Sequence, residues 1–386
     1  MRTIPYARQN INAADVAAVV ETLESDWLTQ GPAVERFEQA VAVYCGARFA
    51  VALNSATSAL HAACLAAGVA PGDAVWTSPN TFVASANCSL YCGGTADFVD
   101  IDPRTYNMSA DELAAKLAKG RKSGRLPKAV IPVHFSGQSC EMERIAALAQ
   151  DFGFSVIEDA SHAIGGTYRG DRVGACRHSD MTVFSFHAVK VVTSGEGGMV
   201  VTNRPDLYEK LLLFRSHGIT RDPAKMAGES EGPWYYEQIG LGYNYRMTDI
   251  QAALGLSQLG RVDEFVRRRR ELAARYDALL GDLPLVLPWQ QERDASAWHL
   301  YVVRLKPAGG KTRRQVFEAL RAAGVGVNVH YIPVHTQPYY RELGFRPGDF
   351  PAAEQYYAEA ISLPMYYGLG DDQQDYVAAT LRKVLV

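Results

Sequence analysis

Apolar and polar positions along the chain fall into two kinds of repeat. Short apolar runs rich in β-branched and aromatic residues read as strands: "FAVALNS", "DAVWTSP", "TADFVDID", "KAVIPVHFSG", "FSVIEDAS", "MTVFSFH" and "GGMVVTN". Between several of them lie segments with apolar residues three and four apart, which read as helices: "ATSALHAACLAAGV", "TFVASANCSLYCGG" and "MERIAALAQDFG". Upstream, "NAADVAAVVETLESDW" predicts a helix with Asn12 as N-cap, and "AVERFEQAVAVYCG" a second one stopped by Gly46. Strands alternating with helices predict a parallel sheet in an α/β layer.

The texture changes after about residue 250. "MTDIQAALGLSQLGRVDEFVRRRRELAARYDALLGDL" predicts one long helix, kinked near Gly255 or Gly260. Then follow a strand, "AWHLYVVRL", a helix ended by Gly324, "TRRQVFEALRAAG", a strand, "VGVNVHYI", and a helix, "AAEQYYAEAISL". The expected organisation is a large domain over 1–255 and a smaller α+β domain over 256–386. "GITRDPAKMAGESEGPW" reads as a mobile loop. No internal repeat or low-complexity segment stands out.

Composition narrows the function classes. The 386 residues are 48% hydrophobic and 21% charged, with a formal net charge of -3. Nothing there suggests a nucleic-acid or membrane-surface partner. Arg267 to Arg270 sit in a helical pattern and read as a solvated face. The six cysteines are scattered without a CxxC pair, which predicts reduced thiols in a cytoplasmic protein. The N-terminal residues lack an apolar signal core, and no apolar run has membrane length. His330 and His335, five apart in "HYIPVH", are poorly spaced for one helix face, so no metal site is expected.

Three stretches carry candidate chemistry. In "LNSATSAL" a strand ends, hydroxyl residues follow and a helix begins. Ser55, Thr57 and Ser58 would suit a phosphate at the helix N-terminus, or simple capping. In "VIEDASHAIGG", Asp159 closes an apolar strand, as a partner for a heterocyclic N–H⁺ or as an N-cap. In "SFHAVKVVTSGEGG", Lys190 lies between a strand and a glycine turn, as a surface charge or as an amine nucleophile. Strand ends in open α/β sheets face the ligand crevice. A lysine, an acid and a phosphate cradle in this order are the parts that pyridoxal phosphate requires.

At this point the chain resembles the DegT/DnrJ/EryC1/StrS family of sugar aminotransferases. The resemblance runs through "LTQGP", "NSATSAL", "SPNTFVAS", "VHFSGQ", "IEDASHAIG", "SFHAVK", "SGEGGMVVTN", "GYNYRMTDIQAALG" and "VHYIPVHTQPYY". It implies the fold-type I architecture of pyridoxal-phosphate enzymes, a large domain with a mixed, mostly parallel sheet and a smaller C-terminal α+β domain. It implies pyridoxal 5'-phosphate as cofactor, with Lys190 as the lysine bonded to its aldehyde and Asp159 against its ring nitrogen. Phe82 would stack on the ring, and Ala56, Thr57 and Ser185 would hold the phosphate. His162, three positions after Asp159 where relatives often carry Gln, would support that carboxylate or the ring. Asn244 would reach the site of the neighbouring subunit in a homodimer. A nucleotide sugar would lie against Tyr6 in an arm over 1–30, against Asp26, Trp27, Leu28 and Thr29, and against Asn328, Val329, His330 and Tyr331.

"IPYARQ", "SDWLTQGP", "EDASHA", "SFHAVK" and "NVHYIPVHTQPYYR" are most similar to the pseudaminic-acid branch of the family. That implies amino transfer from L-glutamate to C4 of a UDP-linked 2-acetamido-2,6-dideoxy-4-keto-L-hexose. The rival expectations are another acceptor, such as a dTDP-4-keto-6-deoxyhexose, and a cofactor-bound regulatory protein. Val191 and Ala188 depart from the family pattern beside the lysine. Lys190 itself separates the chain from relatives with His there, which act as sugar dehydratases.

Overall fold

Seven of the apolar runs pair into one sheet in the order Phe49–Leu53, Gly198–Thr202, Met181–Ser185, Ser155–Asp159, Ala129–Ile131, Ala74–Thr77, Thr95–Phe98. The computed structural model describes residues 3–291, 294–306 and 310–385, so Met1 and Arg2 of the expected arm lie outside the described residues. Gly198–Thr202 runs antiparallel to both its neighbours, and every other pairing in the sheet is parallel. Parallel neighbours need crossovers, and helices such as Ala84–Tyr91 and Met142–Phe152 supply them.

Both faces of this sheet are covered, which is why its strands read as continuous apolar runs. Successive residues still point to opposite faces. Phe184 and Met199 pack with Phe37 of helix Pro32–Cys45 and Ala252 of helix Asp249–Leu259. Val183 and Val200 pack with Leu60 of helix Ala56–Ala66 and Leu207 of helix Pro205–Arg215.

The C-terminal part builds its own core on a three-stranded antiparallel sheet, Leu285–Val286, Tyr301–Leu305 and Ala360–Leu363. Val303 and Ile361 pack there with Leu272, Tyr276, Leu320 and Val377. Ile4 joins this core and makes a single bridge with Val325, so the N-terminal segment returns to the C-terminal core.

Four expectations are corrected. The long helix is two, Asp249–Leu259 and Val262–Leu280, parted at Gly260. Gly255 lies inside the first, where a Cβ would fall 2.7 Å from the Phe37 ring. "VGVNVHYI" is not a regular strand. It makes single bridges at Val325 and Asn328, because the backbone around Gly326 is packed against Ile4 to Tyr6. In "AAEQYYAEAISL" the helix stops at Glu359, and the buried Ala360–Leu363 pairs with Tyr301–Leu305. Finally, Arg269 is not solvated. It falls on the apolar stripe of its helix with Phe265, Val266 and Leu272, and is 3% exposed.

The loop after Gly218 is tied back by Glu237, whose carboxylate accepts from the N–H groups of Ala227 and Gly228. All six cysteines are free. Among the described residues no helix is long and apolar enough to cross a membrane.

Candidate active site

A cavity of about 560 Å³ opens at the C-terminal ends of Ser155–Asp159 and Met181–Ser185, where the last residue of each strand reaches it. Tyr6, Ala56, Thr57, Phe82, Asp159, His162, Ser185, Lys190 and the run Asn328, Val329, His330, Tyr331 all line it. Pieces of chain more than three hundred positions apart in sequence thus meet at one sheet edge.

Asp159 is 5% exposed. A carboxylate so buried needs donors. Ser85 Oγ donates to its Oδ2 at 2.6 Å and the Ser161 N–H to its Oδ1 at 3.1 Å. Ser85 has one hydroxyl proton and spends it on Asp159. Thr81, whose Oγ1 lies 2.7 Å from Ser85 Oγ, is therefore the donor in that contact. The chain Thr81 to Ser85 to Asp159 fixes the orientation of the carboxylate at the cavity wall.

Lys190 sits in a turn beyond the strand, with its backbone N–H bonded to His187 O at 2.9 Å. Burial lowers its amine to about 8, against the opposing pull of the Asp159 charge. About a tenth of the amine is then neutral at pH 7, far more than for an ordinary lysine, and the neutral form is the nucleophile. His187 is at the rim, half-exposed and 3.9 Å from Glu196.

The helix Ala56–Ala66 points its N-terminus into the cavity. Ser55 and Ser58 form a reciprocal capping box, and the Ser58 hydroxyl is further engaged with Asn54. Ser58 is thus a capping residue, which leaves the N–H groups at Ala56 and Thr57 and the Thr57 hydroxyl at the cavity. Gly198 makes this possible: a Cβ there would lie 2.3 Å from Ser55 O. Phe82, 58% exposed, keeps an open ring at the cavity wall with its centroid 6.4 Å from that of Tyr331.

His162 is buried. Its Nδ1 accepts the Ser136 N–H at 3.2 Å, so its proton sits on Nε2, 3.1 Å from the Tyr331 hydroxyl. Burial first, with Lys190 and then His330 acting in the same direction, holds His162 well below the usual histidine range. His330 is held at about 4 by burial and then Lys190. Burial pushes the Tyr331 phenol up, with the Asp159 charge adding.

Two groups of expected residues stay outside this cavity. Asp26, Trp27, Leu28 and Thr29 do not line it. Their segment is fastened to the start of helix Asp249–Leu259, through a Thr29–Thr248 bridge and the Asp249 N–H to Leu28 O. Asn244 is exposed, bridged to Ser216 and bonded through its carbonyl to Asn54. Conversely, Ser85 and His299 line the cavity and Ser136 holds His162, roles that the resembling runs containing Ser85 and Ser136 do not single out.

The donor set suits a heterocycle bearing a ring N–H⁺, an aldehyde and a phosphate. Asp159 would face the first, Lys190 the second and the helix N-terminus at Ala56 and Thr57 the third. Comparison with known proteins agrees. The DegT/DnrJ/EryC1/StrS aminotransferase family matches residues 9–382. The chain is 42% identical to spore coat polysaccharide biosynthesis protein SpsC of Bacillus subtilis, covering 99% of this chain and 97% of that one. It is 38% identical to GDP-perosamine synthase of Caulobacter vibrioides, covering 99% and 98%. Among solved structures, Helicobacter pylori PseC, an aminotransferase involved in the biosynthesis of pseudoaminic acid, superposes with a TM-score of 0.90. It is 32% identical, with 100% of this chain and 99% of that chain covered. The chain belongs to the DegT/DnrJ/EryC1/StrS aminotransferase family and is a pyridoxal-phosphate-dependent sugar aminotransferase of fold-type I architecture.

Proposed function

We propose that the protein transfers an amino group from L-glutamate to C4 of a UDP-linked 2-acetamido-2,6-dideoxy-4-keto-L-hexose. The observation that carries this reading is the full-length likeness to PseC at a TM-score of 0.90. Tyr6 and Asn328 to Tyr331 line the cavity, which supports the reading that they meet the sugar.

When bound, pyridoxal phosphate supplies the electron sink that stabilises a carbanion at the donor Cα. Lys190 Nζ, in its neutral form, takes the proton from that Cα and later returns one at C4 of the sugar. Asp159 would meet the protonated ring nitrogen. The helix N-terminus at Ala56 and Thr57, with Ser185, would hold the phosphate. Phe82 would pack against the ring.

The reading includes a homodimer in the cytoplasm. There Asn244 and the segment from Asp26 to Thr29 reach the neighbouring subunit's cavity rather than their own. Exposure of Trp27, Leu28 and Leu241 on the single chain supports it. It also keeps the division into a large part over 1–255 and a small part over 256–386. A second reading, a different nucleotide-linked keto sugar, is favoured by the 38% identity to GDP-perosamine synthase.

The test incubates holoenzyme and glutamate with UDP-, dTDP- and GDP-linked 4-keto sugars. 2-Oxoglutarate release is followed, and the product is identified by NMR. Turnover of the UDP sugar with nitrogen at C4 supports the first reading. Preference for the GDP or dTDP sugar replaces it with the second.

A further inference from the structure

His299 is 5% exposed and lies on the wall of the same cavity. Its ring centroid is 4.4 Å from that of His162, tilted by 39°. No hydrogen bond reaches its imidazole among the described residues, and Nδ1 is a buried atom without a partner. Among the described residues the ring therefore acts by packing rather than through a hydrogen bond.

Its backbone, in contrast, is fastened on both sides. The His299 N–H donates to Ser136 O at 2.9 Å, and the buried Arg269 donates to the His299 carbonyl at 3.1 Å. The same Arg269 nitrogen also donates to the carbonyls of Trp298 and Met365. Ser136 in turn holds the left-handed conformation at φ 63° and gives its N–H to His162 Nδ1. One residue in an uncommon conformation therefore sets both histidines. It fixes the proton of the first and the place of the second.

We propose that His299 is a positioning residue: its ring packs on His162 and keeps that imidazole neutral with its proton on Nε2, so that Tyr331 directs its own hydroxyl proton into the cavity. Tyr331 Oη receives the Nε2–H and cannot spend its proton on His162. The phenol thus becomes a donor for whatever occupies the cavity.

The groups around His162 agree with a neutral ring. From its own loop it meets no acid, since the Asp159 oxygens are taken by Ser85 and Ser161. From the turn at Phe135–Gly137 come the Ser136 N–H and the Phe135 ring, centroid 6.0 Å away. From the 328–331 segment come the Tyr331 hydroxyl and His330, and from the cavity Lys190. Behind His299 stands the Arg269 guanidinium. Cations and dipoles surround it, and His299 supplies the dry face.

This rests on the cavity being the aminotransfer site, but its readout does not use turnover. The holoenzyme, labelled with ¹⁵N in its histidine rings, is followed by NMR between about pH 5 and 8, the window in which histidine ordinarily titrates. The His162 signals are assigned with His162→Gln. Wild type is expected to show His162 as a neutral Nε2–H ring throughout. His299→Ala, which admits water to the face, is expected to bring protonation of His162 into that window or to mix its tautomers. His299→Phe, which keeps a packed ring, is expected to retain the wild-type signature. A charged or Nδ1–H His162 in wild type overturns the proposal. So does an unchanged His162 in His299→Ala, or a folded His299→Phe in which His162 takes up a proton. Should His299→Ala not fold, the wild-type and His299→Phe spectra decide alone.

Discussion

Ser85 and Asp159, 74 positions apart, are joined by a 2.6 Å hydrogen bond from a helix start to a strand end, with both side chains buried. The contact gives a strand-end carboxylate a buried donor and fixes its orientation.

Ser85→Ala should therefore weaken the enzyme without touching its nucleophile. Loss of a hydrogen bond to a buried charge is worth about 1.5–3 kcal/mol, so turnover should fall about tenfold to a hundredfold. Ser85→Thr, which keeps a hydroxyl, should recover part of it. Steady-state rates of 2-oxoglutarate release measure both. Wild-type turnover in Ser85→Ala would show that Asp159 does not depend on this donor.

Lys190→Ala should abolish turnover and the visible absorbance of lysine-bound cofactor. The wild type offers a finer check. The amine attacks an aldehyde only when neutral, and its value of about 8 means that the neutral form gains as pH rises through 8. Cofactor capture by the apoprotein should accelerate about tenfold per pH unit below that point and level off above it. Stopped-flow absorbance after mixing with pyridoxal phosphate gives the profile. A midpoint near 10 would mean that the amine is not desolvated.

How much of this was legible in the chain depends on the range of each contact. Lys190, Asp159 and the turn at Ala56 were readable because each closes or follows an apolar strand, and strand ends of one sheet share an edge. Ser85, Ser136 and His299 were not. Their roles come from contacts made across long stretches of chain, and nothing in "NTFVAS" or "AWHLYV" marks them. The "VGVNVHYI" run misled for a related reason. Its alternation is that of a strand, but pairing is decided by what lies alongside, and Ile4 to Tyr6 take the place of a partner strand. Arg269 was misread because four arginines in a row look solvated, although its helix phase puts it on the buried stripe.

The buried histidines make the fold acid-sensitive. His330 is held at about 4 in the folded chain, while an unfolded histidine protonates near 6.5. The folded value is the lower one, so its contribution is present above about 6.5 and is lost as pH falls from there toward 4. His162 and His299, both held below the usual range, act in the same sense. Glu38, whose carboxyl is raised by burial, acts in the opposite sense. Comparing wild type with His330→Asn isolates one member. Between about pH 7.5 and 5, wild-type apoprotein should lose about 2 kcal/mol more stability than the variant, read as urea unfolding free energies. Equal losses would place His330 in a solvated setting.

Gly198 tests the phosphate cradle separately from the catalytic pair. It opens the strand antiparallel to Met181–Ser185, and an added Cβ would stand 2.3 Å from Ser55 O and 2.6 Å from Ala56 N. Both are backbone atoms and cannot rotate aside. Strand and helix start must then part, and overpacking of this kind costs about 1–3 kcal/mol. The N–H groups at Ala56 and Thr57 move with the helix start, whereas Asp159 and Lys190 are carried by other segments. Gly198→Ala should therefore raise the dissociation constant for pyridoxal phosphate about tenfold to a hundredfold, while saturating cofactor restores most of the turnover. Titration of the apoprotein, followed by turnover at high cofactor concentration, separates the two quantities. If affinity is unchanged in a folded Gly198→Ala protein, the helix N-terminus does not hold the phosphate. If turnover stays lost at saturation, the strand shift has reached Lys190.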